Sequence, residues 1–108
     1  MTAPDTNDLD DLEAASDAAF TRAFDGVLEV VVIDSGVFWV DGRTAPPKIH
    51  KALPEDVSEA DCRWRGSFDA IKRALDGERG LENLYASGRI AISGDMALMA
   101  RLKLESSV

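Results

Sequence analysis

Two hydrophobic periodicities lie next to each other in the C-terminal part of the chain, within residues 85–102. Apolar residues alternate with polar or small residues over 89–93, which predicts a short strand with Ile90 and Ile92 on one face. Beyond Asp95, a residue type favoured as a helix N-cap, apolar residues fall three apart with a further leucine beside them, which predicts a helix. The apolar positions of this helix are Met96, Leu98, Met99 and Leu102. The sequence therefore predicts a strand that leads directly into a helix, and we expect the rest of the chain to cover their apolar faces.

A helix is also predicted near the N-terminus, over residues 8–25. Its apolar residues recur at every third or fourth position, and Gly26, a residue type that commonly ends helices, follows. Residues 1–7 are expected to be a disordered lead-in. The acidic first turn, which includes Asp8 and Asp10, offers a metal site as an alternative interpretation. No histidine or further ligand accompanies these residues, so we interpret them as solvated charges at the positive end of the helix dipole.

A β-hairpin follows this helix. Residues 27–33 are dominated by β-branched side chains, which predicts a strand. We expect its better-buried side to consist of Leu28, Val30 and Val32. Residues 34–36 have the composition of a hairpin turn, and 37–40 form the return strand, which a second turn signal (Asp-Gly) follows. Turn signals on both sides of one strand predict a hairpin.

The middle of the chain predicts an irregular connector and then another strand. Three prolines within residues 44–59 exclude a continuous helix there, and the two adjacent prolines exclude a central strand. Alternation over 60–66 then predicts a half-buried strand with Cys62 and Trp64 on its inner face and two arginines on its outer face.

A helix and a helical turn complete the prediction. Ser67 is expected to cap a helix that ends near Gly77. The apolar stripe of this helix consists of Phe68, Ile71 and Leu75. A short helical turn over 81–85 leads into the C-terminal pattern, and 105–108 is expected to be a fraying tail. We therefore expect one domain over residues 8–104.

Composition and charge narrow the functional classes. The chain has 108 residues, which fits one domain, and its formal net charge is −8, from 12 basic and 20 acidic residues. This charge argues against binding to nucleic acid or to anionic membranes. One cysteine cannot form an internal disulfide, and the N-terminus has no secretory signal pattern. No apolar run reaches the roughly 20 residues that span a bilayer. These observations predict a cytoplasmic protein without stable membrane insertion.

Catalytic motifs are absent from the sequence. It contains no glycine-rich phosphate loop, no metal-ligand spacing and no Gly-x-Ser-x-Gly elbow. Cys62 as a nucleophile needs a general base, and nothing in the sequence places the one histidine, His50, beside it. We interpret Cys62 as a buried core thiol and His50 as a solvated side chain. The sequence therefore predicts a protein that is not an enzyme and that uses no metal or other cofactor.

Residues 85–102 also form a recognisable pattern, which reads aromatic-x-Ser-Gly-basic-Ile-x-Ile-x-Gly-Asp-Met-x-Leu. It resembles the closing signature of the sterol carrier protein type-two domain. Upstream landmarks follow in the family's order, with Ala-Asp-Cys at 60–62, Ser-Phe at 67–68 and Gly-Glu at 77–78. The resemblance implies an α+β fold with a curved, mostly antiparallel sheet of four to five strands. It also implies helices packed on one face of that sheet and an apolar tunnel enclosed between them.

By this resemblance the tunnel would bind and transfer lipids, namely fatty acyl chains, sterol-like lipids or quinone-like lipids, without catalysis. The C-terminal helix would form one wall, for which methionine is suited because it is flexible and repacks around different guests. Trp64 is bulkier than the usual residue at its position and is expected to narrow the cavity. The residues expected to contact lipid are Phe24, Val30, Val32, Phe38, Trp64, Phe68, Ile71, Leu84, Ile90, Ile92, Met96, Met99 and Leu102.

A second function remains open at this point. An accessory protein of a lipid-pathway complex can use the same fold without carrying lipid, and its partner would then be another protein. A closed internal cavity favours the carrier, whereas an exposed apolar patch on the order of several hundred Å² favours the accessory protein. The sequence does not choose among the lipids.

Overall fold

The computed structural model describes residues 6–75 and 77–102. Within these residues the helices are α1 (Thr6–Ala19), α2 (Phe68–Leu75), α3 (Glu78–Ala86) and α4 (Met96–Arg101). The strands are β1 (Val27–Val32), β2 (Gly36–Asp41), β3 (Lys48–His50), β4 (Cys62–Gly66) and β5 (Ile90–Gly94). The tail predicted over 105–108 and most of the predicted lead-in lie outside the described residues.

The strands form one five-stranded sheet in the order β3-β2-β1-β4-β5. β1 and β4 are parallel, and the other neighbouring pairs are antiparallel. The helices pack on one face of the sheet, because apolar residues of α1, α2 and α3 share a single buried cluster with the inward-facing residues of the strands. The predicted α+β architecture with a mostly antiparallel sheet is therefore confirmed.

Alternation along the strands determines which side chains enter this core. The even-numbered residues of β1 are at most 1% exposed, as predicted. In the sheet register Val30 lies between Phe38 of β2 and Trp64 of β4, and Trp64 lies opposite Ile92 of β5. Directly opposed residues share a face of the sheet. One apolar layer therefore runs beneath the helices from the centre of the sheet to its β5 edge.

The opposite face of the sheet, called the polar face below, carries charged side chains beside the half-buried apolar residues Val31 and Val37. Glu29 of β1 accepts a hydrogen bond from Trp39 Nε1 at 3.1 Å and forms an ion pair with Arg63 of β4. Arg63 and Arg65 are both exposed, as the alternation over 60–66 predicted. The two faces of the sheet therefore differ in character, and the described helices pack on the apolar one.

The first helix ends earlier than predicted. α1 ends at Ala19, and the predicted continuation to residue 25 was wrong. Phe20 and Phe24 are nevertheless each 1% exposed, so both occupy the core positions that created the helical pattern. The chain leaves the helix because the N–H groups of Phe24 and of the next residue donate to the carbonyl oxygen of Gly42, at 2.9 and 3.0 Å. At its other end α1 begins at Thr6, inside the predicted lead-in.

Two further elements differ from the sequence expectations. The connector over 44–59 contains β3, which follows the two adjacent prolines and pairs with β2 as an edge strand. α3 is longer than the turn predicted over 81–85, because it begins at Glu78. Gly80 weakens the helical pattern there, yet a Cβ at this position would lie 2.9 Å from the carbonyl oxygen of Arg73 on α2. Glycine therefore allows α3 to approach α2 closely, at a cost in helix propensity.

Candidate functional site

The turn from β5 into α4 is fixed by a glycine and an N-cap. Gly94 has a φ of +96°, and a Cβ there would lie 2.6 Å from the backbone oxygen of Asp61. Glycine tolerates both conditions, whereas a residue with a side chain does not. Asp95 then donates its N–H to the same Asp61 oxygen at 2.7 Å and accepts a hydrogen bond from the N–H of Ala97 at 2.9 Å. The predicted N-cap is confirmed, and the start of α4 is tied to the residue that precedes β4.

One side of α4 packs against the segment between α1 and β1 and hydrogen-bonds to it. Leu98 is fully buried, and a Cβ on Gly26 would lie only 2.6 Å from its Cδ1. Arg101 donates from Nε to the carbonyl oxygen of Phe24 at 3.0 Å and from a terminal nitrogen to that of Asp25 at 3.2 Å. These contacts leave the other side of α4 free to face α3 and β5.

An apolar pocket of about 280 Å³ opens between α3, β5 and α4. Tyr85 and Met96 are 48% and 46% exposed and form part of its rim. Leu81 and Leu102 lie deeper and are buried. The residues that line the pocket are Leu81, Glu82, Tyr85, Ile92, Met96, Met99, Ala100 and Leu102. This arrangement can hold part of an apolar molecule and leaves its outer end in contact with solvent.

Met99 lines the pocket on the side nearest the core, called its inner end below, and contacts the buried Trp64 there. The indole Nε1–H of Trp64 donates to Met99 Sδ at 3.3 Å. Trp64 is fully buried, and its ring centroid lies 6.0 Å from that of Phe20 in the core. Met99 is half-buried and lines the pocket. The methionine side chain therefore separates the pocket from a buried hydrogen-bond donor.

The pocket lining is almost free of charge. Among the described residues that form it, Glu82 alone carries a formal charge, and it is exposed. No lysine, arginine or histidine belongs to the described lining. The described part of the lining therefore suits burial of hydrocarbon and holds no cation for an acidic group.

The structure brings four of the thirteen residues expected to contact lipid into this pocket. They are Ile92, Met96, Met99 and Leu102. Eight others are buried in the main core, with Trp64 reaching toward the pocket only through Met99. These eight are Phe24, Val30, Val32, Phe38, Trp64, Ile71, Leu84 and Ile90. Phe68 is half-buried, with Lys72 Nζ 5.8 Å from its ring centroid.

Sequence reasoning missed the contribution of α3 to the pocket. Leu81 and Tyr85 are four positions apart, so they lie on one face of the helix. That spacing was the available signal. It was obscured because Leu84 fits the same short pattern and is buried on the core side. The small residue Ala100 carried no signal in the sequence at all.

The structure also shows the surroundings of Cys62. Burial, the largest influence, raises the pKa of the Cys62 thiol, against a smaller lowering by the hydrogen bond from the backbone of Arg63. A thiol with a raised pKa stays protonated near neutral pH and is a poor nucleophile. Within residues 6–75 and 77–102, no three His, Cys, Asp or Glu side chains are grouped so that they could hold a metal ion. None of the helices in that part of the chain combines the length and apolar character that a bilayer span requires.

Several solved structures share this fold. Sterol carrier protein 2-like 2 from Aedes aegypti matches with a TM-score of 0.58 at 19% identity, over 88% of this chain and 89% of that one. The apo form of sterol carrier protein 2 from Yarrowia lipolytica matches with a TM-score of 0.54 at 14% identity, over 88% of this chain and 81% of that one. The ubiquinone synthesis protein UbiJ-SCP2 matches with a TM-score of 0.58 at 18% identity, over 84% of this chain and 73% of that one. At these identities the matches establish the fold.

Comparison at the level of sequence identifies the family. The chain is 39% identical over 76 residues to an aspartate–tRNA(Asp/Asn) ligase of Desulfotalea psychrophila, a match that spans 70% of this chain and 12% of the ligase. The model of the SCP-2 sterol transfer family matches residues 6–104. The resemblance drawn from the residues is confirmed: the chain belongs to the SCP-2 sterol transfer family, whose domains are generally non-catalytic and bind lipid.

Proposed function

We propose that this protein binds lipid chains in the pocket between α3, β5 and α4 and transfers them without catalysis. Membership of the SCP-2 sterol transfer family supports lipid binding at the level of the family. The observation that carries the proposal to this chain is the apolar pocket itself, whose walls include Ile92, Met99 and Leu102. The sequence pattern and the family resemblance also predict that these three residues contact lipid.

The size of the pocket implies that its walls move. About 280 Å³ lies just below the roughly 300–1,000 Å³ that is typical of ligand sites. A long acyl chain or a polycyclic lipid therefore needs additional room. The side chains of Met96 and Met99 can provide it, because methionine has three rotatable bonds and fills irregular space. Met96 is already 46% exposed, so its displacement removes little surface from the core.

The free energy of an empty cavity gives a reason for a small, open pocket. If the volume of about 280 Å³ were enclosed and dry, it would cost about 7 kcal/mol at about 24 cal/mol per Å³. That is comparable with the total stability of a domain, about 5–15 kcal/mol. A pocket that remains open to water avoids this cost. We therefore expect the site to enlarge only when a guest fills it, and an extended tunnel remains a prediction.

A pair of tryptophan substitutions on α4 tests the site. Ala100 lines the pocket and is exposed, so an indole at this position would fill the pocket without entering the core. Ala97 is also exposed on α4 but does not line the pocket, which makes Ala97→Trp a matched control. We expect Ala100→Trp to weaken lipid binding by at least about tenfold, or about 1.4 kcal/mol. Ala97→Trp should leave the affinity unchanged.

The measurement combines lipid recovery with binding. Purified wild-type protein is extracted with organic solvent, the extract is identified by mass spectrometry, and the recovered lipid is titrated against both variants. Lipid recovered from the wild type, together with binding lost only in Ala100→Trp, supports the carrier function. Absence of recovered lipid, absence of binding to a broad lipid panel and identical behaviour of the two variants would favour the accessory protein instead.

A further inference from the structure

We propose that the pocket selects neutral lipids that carry a hydrogen-bond acceptor, such as an ester, ketone or quinone carbonyl, over anionic lipids such as free fatty acids. This inference rests on the proposed lipid-binding function and specifies the headgroup class for the same pocket. Two separate features carry it, one at the rim of the pocket and one at its inner end.

The rim disfavours an anionic headgroup. Glu82 is the one described lining residue with a formal charge, and that charge is negative. The net charge of the whole chain, −8, has the same sign. The nearest described guanidinium on the wall helix, that of Arg101, donates to the backbone oxygens of Phe24 and Asp25 instead of pointing into the pocket lining. Among the described lining residues, a carboxylate or phosphate at the mouth would therefore meet a negative charge and no cation.

The inner end favours a neutral acceptor. The Nε1–H of Trp64 is buried, and its partner is the thioether of Met99, which is a weak acceptor. Rotation of the Met99 side chain would bring a guest to this donor, because Met99 is the residue between them. A carbonyl oxygen would then make a stronger hydrogen bond than the sulfur does. A carboxylate in the same place would be a buried charge with one donor, and the free energy of its desolvation exceeds the stabilisation from that single hydrogen bond.

Three ligands of matched chain length separate the possibilities: methyl palmitate, palmitate and heptadecane, each delivered from cyclodextrin near neutral pH. The chain has two tryptophans, so Trp39→Phe leaves Trp64 as the only reporter of tryptophan fluorescence. Trp39 lies on the polar face of the sheet, where it donates to Glu29, and is not part of the pocket. In this background we expect the ester to bind about tenfold more tightly than palmitate. We also expect the ester, but not the alkane, to shift the Trp64 emission maximum.

Substitutions at both ends locate the cause of the preference. Glu82→Gln should reduce the difference in affinity between the ester and palmitate, and Glu82→Lys should reverse that preference. Glu55→Gln makes the same change of charge as Glu82→Gln at an exposed position outside the pocket, and it should leave the preference unchanged. Met99→Leu removes the competing sulfur at nearly constant volume and should increase the preference for ester over alkane.

The outcomes distinguish this inference from the function on which it rests. Palmitate that binds the wild type as tightly as the ester, or more tightly, overturns the headgroup selection and leaves lipid binding intact. A preference for ester over alkane that Met99→Leu does not change overturns the role of the Trp64 donor. Failure of all three ligands to bind overturns both the inference and the proposed function.

Discussion

Truncation of Leu98 is expected to weaken the protein much more than truncation of Met96, although both residues belong to the predicted apolar pattern of α4. Leu98 is 0% exposed and packs against Gly26, whereas Met96 is 46% exposed. Replacement of a buried leucine by alanine costs about 2–5 kcal/mol, because the surroundings collapse only partly into the space left behind. Replacement of the exposed methionine by alanine removes little buried surface and improves helix propensity, so we expect a change within about 0.5 kcal/mol.

These free energies translate into a large difference in melting temperature. For a domain of 108 residues, 1 kcal/mol corresponds to about 4 °C, since the entropy of unfolding is about 2.1 cal/mol/K per residue. Leu98→Ala should therefore lower Tm by roughly 10–20 °C and Met96→Ala by about 2 °C or less. Circular dichroism melts supply Tm, and urea titrations monitored in the same way supply the free energy of unfolding. Equal losses in the two variants would show that α4 is not attached through Leu98 and would refute the assignment of its buried side.

Two further expectations concern the turn before α4 and the thiol beneath it. Gly94→Ala places a Cβ at a φ of +96° and 2.6 Å from the backbone oxygen of Asp61. We therefore expect the free energy of unfolding, measured by urea titration, to fall by about 1–3 kcal/mol. An unshifted urea midpoint would contradict that geometry. Burial raises the pKa of Cys62 above its ordinary value of 9.0, so the folded protein holds the thiol proton more tightly than the unfolded chain does. The stabilisation from this proton is complete below pH 9.0 and is lost as pH rises through the folded-state pKa. Wild-type stability should therefore fall more steeply than that of Cys62→Ala between pH 9.0 and the folded-state pKa. Parallel profiles over this range would count against the buried thiol.

The strands were the most predictable part of the fold. β-Branched composition identified β1, and the turn signals on both sides of the return strand identified β2. Alternation with a period of two identified β4 and β5, because each presents one face to a core and the other to solvent. β3 escaped prediction because it has only three residues and joins the edge of the sheet after a proline-rich segment. Its pairing depends on β2, and a short sequence window does not contain that information.

The end of α1 shows where local periodicity fails. Phe20 and Phe24 are four positions apart, which is typical of one helical face, and both are buried. The backbone between them nevertheless leaves the helix to reach the carbonyl oxygen of Gly42 at the end of β2. Burial was therefore predicted correctly from the pattern, while the conformation that achieves it was decided by a tertiary hydrogen bond.

The candidate site was predicted only in part, for a related reason. Core side chains and pocket walls use the same apolar residue types, so Phe38 and Met99 looked alike in the sequence although only Met99 lines the pocket. Which side of α4 faces inward depends on Leu98, Arg101 and their partners near β1, which are distant in the sequence. The family resemblance pointed to α4 as a wall, and tertiary contacts decide which of its residues line the pocket.

Photo-crosslinking with a lipid that carries a diazirine on its hydrocarbon chain tests the central claim most directly. After irradiation, peptide mapping by mass spectrometry locates the attached chain. We expect the adducts on α3 and α4, at residues such as Tyr85, Met96 and Met99, and we expect Ala100→Trp to abolish them while Ala97→Trp does not. Adducts confined to the polar face of the sheet, or labelling that is insensitive to Ala100→Trp, would contradict a lipid site in this pocket.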